Sequence, residues 1–124
     1  MKKVLIIEDE TIISFGYRLQ LERMGFEVIG VARSSDDAEA IMQEERPELI
    51  IMDIYLKGSK NGIELAKEIR ITNDLPIIFL TASTRQDTMD AIREMNNCHY
   101  LAKPITSESL TEVLQRILRS DVHI

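Results

Sequence analysis

Leu49-Ile50-Ile51-Met52-Asp53 decides the fold: four apolar residues in a row, closed by a carboxylate. Strict alternation would mark a strand with one wet face. An unbroken apolar run this short suits a strand covered on both faces, as in a parallel sheet. Working outward from it, Val4-Leu5-Ile6-Ile7 and Ile77-Ile78-Phe79-Leu80 read the same way. Two further runs are mixed. Val28-Ile29-Gly30-Val31 contains a glycine, and Cys98 to Ala102 contains His99 and Tyr100, which places both at the less covered edges of the sheet.

Between these runs lie segments with helical spacing. The clearest is the last, where Leu110, Val113, Leu114, Ile117 and Leu118 recur at i, i+3, i+4, i+7 and i+8. Thr106 is its expected N-cap, with Ile105 and Leu110 spaced as a hydrophobic staple. Ile12, Phe15 and Leu19 make the stripe of the first helix, despite the helix-weakening Gly16. Ser34 and Asp37 open a second helix that turns Ala38, Ile41 and Met42 inward and closes before Pro47. Asn61-Gly62 precedes a third bearing Ile63, Ala66 and Ile69. Met89, Ile92 and Met95 form the stripe of the fourth, the methionines serving as core filler. Strands alternating with helices require right-handed crossovers and helices on both faces. The expected class is α/β, a flavodoxin-like doubly wound sheet of five parallel strands in the order 2-1-3-4-5 with five helices, whose switch point lies between strands 1 and 3.

Composition narrows the function. A chain of 124 residues supports one core, so residues 1–124 are read as one domain. With 44% hydrophobic and 29% charged residues and no long apolar run, disorder and membrane insertion are both disfavoured. Met1-Lys2-Lys3 leads into too short an apolar stretch for a secretory signal, which makes the cytoplasm the expected location. The net charge of -6 argues against direct contact with nucleic acid or acidic membranes. Cys98 has no second cysteine to pair with and reads as a small buried hydrophobe.

Open sheets of this kind place their chemistry at the carboxyl ends of the strands. Glu8-Asp9 follow the first run, Asp53 the third, Thr81 the fourth, and Lys103-Pro104 the fifth. Three carboxylates converging there would repel one another unless a cation neutralised them. Oxygen ligands favour Mg2+, or Mn2+ in its place, which takes one or two carboxylates and leaves another to react. The set suits phosphoryl transfer onto Asp53, with Thr81 and Lys103 on the phosphoryl oxygens. Taken singly, each residue has a plainer role: acids complement a helix dipole, an Asp begins a turn, a Thr caps a helix, a Lys is solvated, and Tyr100 fills a strand face. Their coincidence after four strands is what carries weight.

With the same residues the chain resembles the response-regulator receiver domains of bacterial and archaeal two-component signalling, over essentially its whole length. The resemblance implies that Asp53 is the phosphoacceptor and that Asp9, Asp53 and the backbone carbonyl of Tyr55 hold the metal, with Glu8 helping through water. It implies a cis bond between Lys103 and Pro104 that aims the lysine inward. It further implies a switch in which Thr81 and Tyr100 move together and alter the face made by the fourth helix, fifth strand and fifth helix. The phosphodonor would be a sensor histidine kinase or a histidine phosphotransfer protein, and the downstream partner is not named by the residues. A dimer linked to phosphorylation through the altered face is a further expectation. Such a protein is a signalling switch that catalyses only its own phosphorylation and dephosphorylation.

Some positions depart from the family pattern. Asn96-Asn97 stand where Gly-Ala is usual, and asparagine tolerates the left-handed backbone such a turn needs. Tyr55 and Ser83 lie two residues beyond Asp53 and Thr81, where the resemblance implies that side chains obstruct or assist the water that hydrolyses the acyl phosphate. A phosphohydrolase of the haloacid dehalogenase kind is the alternative, but its second aspartate would have to stand at Tyr55, so the general acid is missing. A nucleotide-binding module lacks its glycine-rich loop. A purely structural receiver-like domain would take no phosphoryl group. His99 and His123 are expected to face solvent. The chain ends just after the fifth helix, as in a single-domain regulator or one cut before an effector domain.

Overall fold

The computed structural model describes residues 2–82 and 85–122, with side chains as far as Ile117. Ten elements alternate: β1 (Lys3–Ile7), α1 (Thr11–Arg23), β2 (Glu27–Ala32), α2 (Ser35–Glu44), β3 (Leu49–Asp53), α3 (Gly62–Thr72), β4 (Ile77–Thr81), α4 (Gln86–Glu94), β5 (Cys98–Ala102) and α5 (Ser107–Val122). The strands pair in parallel in the order β2-β1-β3-β4-β5, the order expected for the flavodoxin-like class. Both sheet faces are covered because successive side chains of a strand point to opposite sides. Ile50 and Met52 join Phe79, Leu65, Ala66 and Ile92 in one cluster, on the side of α2, α3 and α4. Leu49 and Ile51 join Ile78, Leu21, Leu110 and Val113 in the other, on the side of α1 and α5. No helix among the described residues is long and apolar enough to cross a membrane.

Local signals set the helix ends. Ser34 caps α2 by accepting from the Asp37 N–H. Asn61 and Glu64 form a reciprocal capping box at α3, each side chain accepting from the other's backbone N–H. Thr106 Oγ1 accepts from the Ser109 N–H at 3.0 Å ahead of α5, and Ile105 and Leu110 meet in one cluster. Asn97 adopts φ 54°, the left-handed turn anticipated for that position. Arg70 ties the far end of the sheet together: its guanidinium donates to the carbonyls of Asn73, Leu75 and Asn97 and to Cys98 Sγ.

Three expectations need correction. The Ile12, Phe15 and Leu19 row faces outward, with Ile12 88% exposed. The inward face of α1 instead carries Ser14, Tyr17 and Leu21, with Met24 packed inward just past its end, because the helix begins at the acidic end of β1 and turns its small Ser14 toward the sheet there. Cys98 is half-buried. His99 is also half-buried, and its pKa is lowered, first by burial and then by the charges of Arg116 and Arg70. His123 and Ser83 lie outside the described residues.

Candidate functional site

β1 and β3 are neighbours, so residues that follow them share the carboxyl end of the sheet. Glu8 is fixed there by its own N–H, which donates to the Ala32 carbonyl at 2.8 Å. Its side chain is buried. Oε2 accepts from the Asp9 N–H at 3.0 Å, whereas Oε1 is buried without a hydrogen-bond partner. Asp53 ends β3 at 7% exposure. Its Oδ1 accepts from the Tyr55 N–H at 3.0 Å, so the turn-forming role foreseen for an aspartate here is real. The second oxygen, Oδ2, lies 3.3 Å from Lys103 Nζ, which also stands 3.7 Å from Glu8 Oε1. One carboxylate oxygen from each of Glu8, Asp9 and Asp53 falls within 4.8 Å of the other two.

Thr81 ends β4 and is buried. Its carbonyl accepts from the Lys103 N–H at 2.9 Å, which links the ends of β4 and β5. The Lys103-Pro104 peptide is cis. Tyr100 is half-buried on β5 beside Phe79, and its hydroxyl accepts from Arg93 Nη2 at 3.4 Å. Tyr55 is exposed, with only its N–H directed to Asp53. Gly62 is required by closeness: a Cβ there would lie 2.7 Å from the Asp53 carbonyl oxygen and 2.9 Å from Ile54 Cα.

The electrostatics follow from crowding. Burial, then the charge of Asp53, push Glu8 up to about 7, far above an ordinary glutamate. Burial alone would depress Lys103, but Asp53 and Glu8 outweigh it and its pKa is raised. Three carboxylates gathered this closely, with oxygen donors throughout, make the kind of donor set that a hard divalent cation takes.

The model of the response regulator receiver domain matches residues 4–115. The chain belongs to that family. It is 36% identical over 121 residues to the transcriptional regulatory protein AfsQ1 of Streptomyces coelicolor, covering 96% of this chain and 52% of that protein. It is 31% identical over 114 residues to the transcriptional regulatory protein PdtaR of Mycobacterium tuberculosis, covering 92% and 55%. The chain thus spans about half the length of these curated relatives. The signal receiver domain of a modulated diguanylate cyclase from Desulfovibrio desulfuricans superposes with a TM-score of 0.84 at 32% identity, covering 97% of this chain and 95% of that one.

This receiver domain brings together Glu8, Asp9, Asp53 and Lys103, the residues singled out by their places after the strands. Thr81 joins them through the ends of β4 and β5, while Tyr100 is placed farther along β5 against α4. Two cationic groups at the site were not anticipated. Lys57 Nζ lies 3.7 Å from Asp9 Oδ2, and Arg33 Nη2 lies 3.5 Å from the Asp9 carbonyl oxygen. Lys57 lies in the loop after β3, where Gly58 takes a φ of +107°, and that loop is positioned by contacts with the start of α2.

Proposed function

We propose that this receiver domain takes a phosphoryl group from the phosphohistidine of a sensor kinase or histidine phosphotransfer protein onto Asp53. A carboxylate oxygen of Asp53 forms the new P–O bond while the P–N bond to the donor imidazole breaks, and the imidazole leaves with the electron pair. The supporting observation is the convergence of Asp53, Lys103 and Glu8, whose Oε1 accepts no hydrogen bond and faces the Lys103 ammonium at 3.7 Å. Lys103 supplies positive charge as the phosphoryl group arrives, and the Tyr55 N–H holds Asp53 in place. Asp9, Asp53 and the Tyr55 carbonyl would hold Mg2+ or Mn2+, with Glu8 acting through water. When bound, the ion neutralises the developing charge on the phosphoryl oxygens.

Thr81 and Tyr100 then form the switch pair. Phosphorylation changes the surface only by favouring one of two conformations already sampled, so the face of α4, β5 and α5 is read as a two-state output for a partner, an effector domain or a second copy. The whole chain, residues 1–124, acts as one receiver domain in this reading. Tyr55 and Ser83 tune the lifetime of the acyl phosphate. Tyr55→Ala is expected to speed dephosphorylation several-fold by opening a path for water, which a radiolabel-release time course measures. An unchanged or slower rate would remove Tyr55 from that role.

The deciding experiment is intact mass after incubation with Mg2+ and a small-molecule phosphodonor, beside Asp53→Asn and a magnesium-free control. A gain of one phosphoryl group that needs both Mg2+ and Asp53 is the expected result. No gain by the unaltered protein despite bound Mg2+ would leave an interaction domain that works without phosphorylation.

A further inference from the structure

The loop joining β3 to α3 brings a second lysine to the acidic cluster, and phosphoryl transfer as described above gives it no task. Lys57 Nζ stands 3.7 Å from Asp9 Oδ2 although its side chain is 83% exposed. The loop itself is held down on the start of α2. Ser35 N–H donates to the Lys57 carbonyl at 3.4 Å, and Lys60 N–H donates to Ser35 Oγ at 3.1 Å. Ser59 donates to the Asp36 carboxylate through its N–H at 3.3 Å and its hydroxyl at 2.8 Å. Lys60 Nζ bridges Glu39 of α2 and Glu68 of α3 at 2.7 and 2.6 Å. Gly58, at φ +107°, permits the close fit, since a Cβ there would lie 3.0 Å from Ser35 Oγ.

The backbone of Lys57 is therefore fixed, and only the side chain is free to reach or leave Asp9. The two lysines divide the cluster: Lys103 faces Asp53 and Glu8, whereas Lys57 faces Asp9. A divalent ion bound to Asp9 would need its carboxylate oxygen at about 2.0–2.1 Å for Mg2+. An ammonium group beside that same oxygen competes for it electrostatically.

We propose that Lys57 is a tethered competitor for the cation site, neutralising Asp9 in the metal-free domain and released when the ion binds. The proposal rests on reading Glu8, Asp9 and Asp53 as that site. An exposed ion pair shifts an equilibrium by at most about fivefold, so Lys57 acts as a trim on metal affinity, and salt weakens its effect.

The test needs no phosphodonor. Mn2+ binding is followed by the electron spin resonance of the free ion, and Mg2+ binding by calorimetry, for the unaltered protein, Lys57→Gln, Lys57→Arg and Lys67→Gln. Lys67 is exposed on α3, so its variant removes the same charge from elsewhere. Lys57→Gln is expected to bind both ions roughly two- to fivefold more tightly at low ionic strength, with the gain fading at high salt. Lys57→Arg and Lys67→Gln should stay near the unaltered protein. The ε-methylene resonance of Lys57 should move with the same Mg2+ midpoint as the calorimetry. Equal or weaker binding by Lys57→Gln, an equal gain from Lys67→Gln, or a Lys57 resonance indifferent to Mg2+ would overturn the proposal while leaving the metal site intact. Absence of binding by every variant would overturn the metal reading and the proposal with it.

Discussion

The middle of β3 and its carboxyl end are buried to nearly the same degree and contribute in opposite directions. From Leu49 to Met52 each side chain is apolar and at most 2% exposed. Burial there removes apolar surface from water, worth about 25 cal/mol per Å2. One residue farther on, Asp53 meets buried Glu8, and one carboxylate oxygen of the pair is left without a hydrogen bond. Burial at that point desolvates charge faster than Lys103 compensates it, as the raised pKa of Glu8 records. The sheet interior thus supplies stability that its end draws down, and the fraction of a residue hidden from solvent does not by itself say which way it contributes.

The comparison can be tested from its strongest side first. Phe79→Ala removes a fully buried ring from β4 and should cost about 3–5 kcal/mol in urea denaturation. Metal affinity measured where the variant is still folded should be nearly unchanged. A large loss of affinity would show that the interior and the end are not separable.

Glu8→Gln should do the reverse. The pKa of Glu8 is about 7 in the folded protein against 4.5 ordinarily, so the folded state retains a proton that the unfolded chain releases. Stability from this group is present at low pH and falls as pH rises from about 4.5 to about 7. In chelator-treated protein, Glu8→Gln should therefore flatten that fall and gain up to about 3 kcal/mol above pH 8, while weakening metal binding. Parallel stability curves for the two proteins would refute this account of the acidic end.

Gly62→Ala lies at the same end but acts by contact. Alanine in a helix is ordinarily favoured over glycine by about 1 kcal/mol. Here the added methyl meets the Asp53 carbonyl, so a net loss of about 1–3 kcal/mol is expected, read by thermal denaturation. A stabilised variant would mean that the start of α3 can withdraw from β3 without difficulty.

The strands were readable because short apolar runs such as Ile77-Ile78-Phe79-Leu80 suit covered strands, their order was expected as a common one for five strands, and the acids stood out because they followed those runs. The helix starts at Ser34 and Thr106 were local enough to be seen, whereas Asn61 was read only as preceding the third helix and its capping box with Glu64 was not foreseen; Asn97 entered the left-handed region as its side chain allows. What escaped was set by distant partners. The outward row on α1 has ordinary helical spacing, and only the sheet beneath chooses Tyr17 and Leu21 over Phe15 and Leu19. The position of Lys57 depends on Ser59 meeting Asp36, 23 residues earlier in the chain. That Glu8 Oε1 accepts no hydrogen bond depends on where Lys103 stops, 3.7 Å away.

The capping box of α3 also bears on chemical ageing. Asn-Gly is the dipeptide most prone to deamidation, in which the glycine nitrogen attacks the asparagine amide carbon, expels ammonia and leaves a succinimide that water opens. In this fold that nitrogen is engaged, since Gly62 N–H donates to the Ile54 carbonyl at 2.9 Å, while Asn61 Oδ1 accepts from the Glu64 N–H. The attack therefore waits for the junction of loop and helix to open, and the rate at which this amide decays is a clock for that local opening. Simple hydrolysis to aspartate would preserve the cap, whereas the isoaspartate product inserts an extra backbone carbon at residue 61 and shifts the Gly62 N–H that now meets the Ile54 carbonyl.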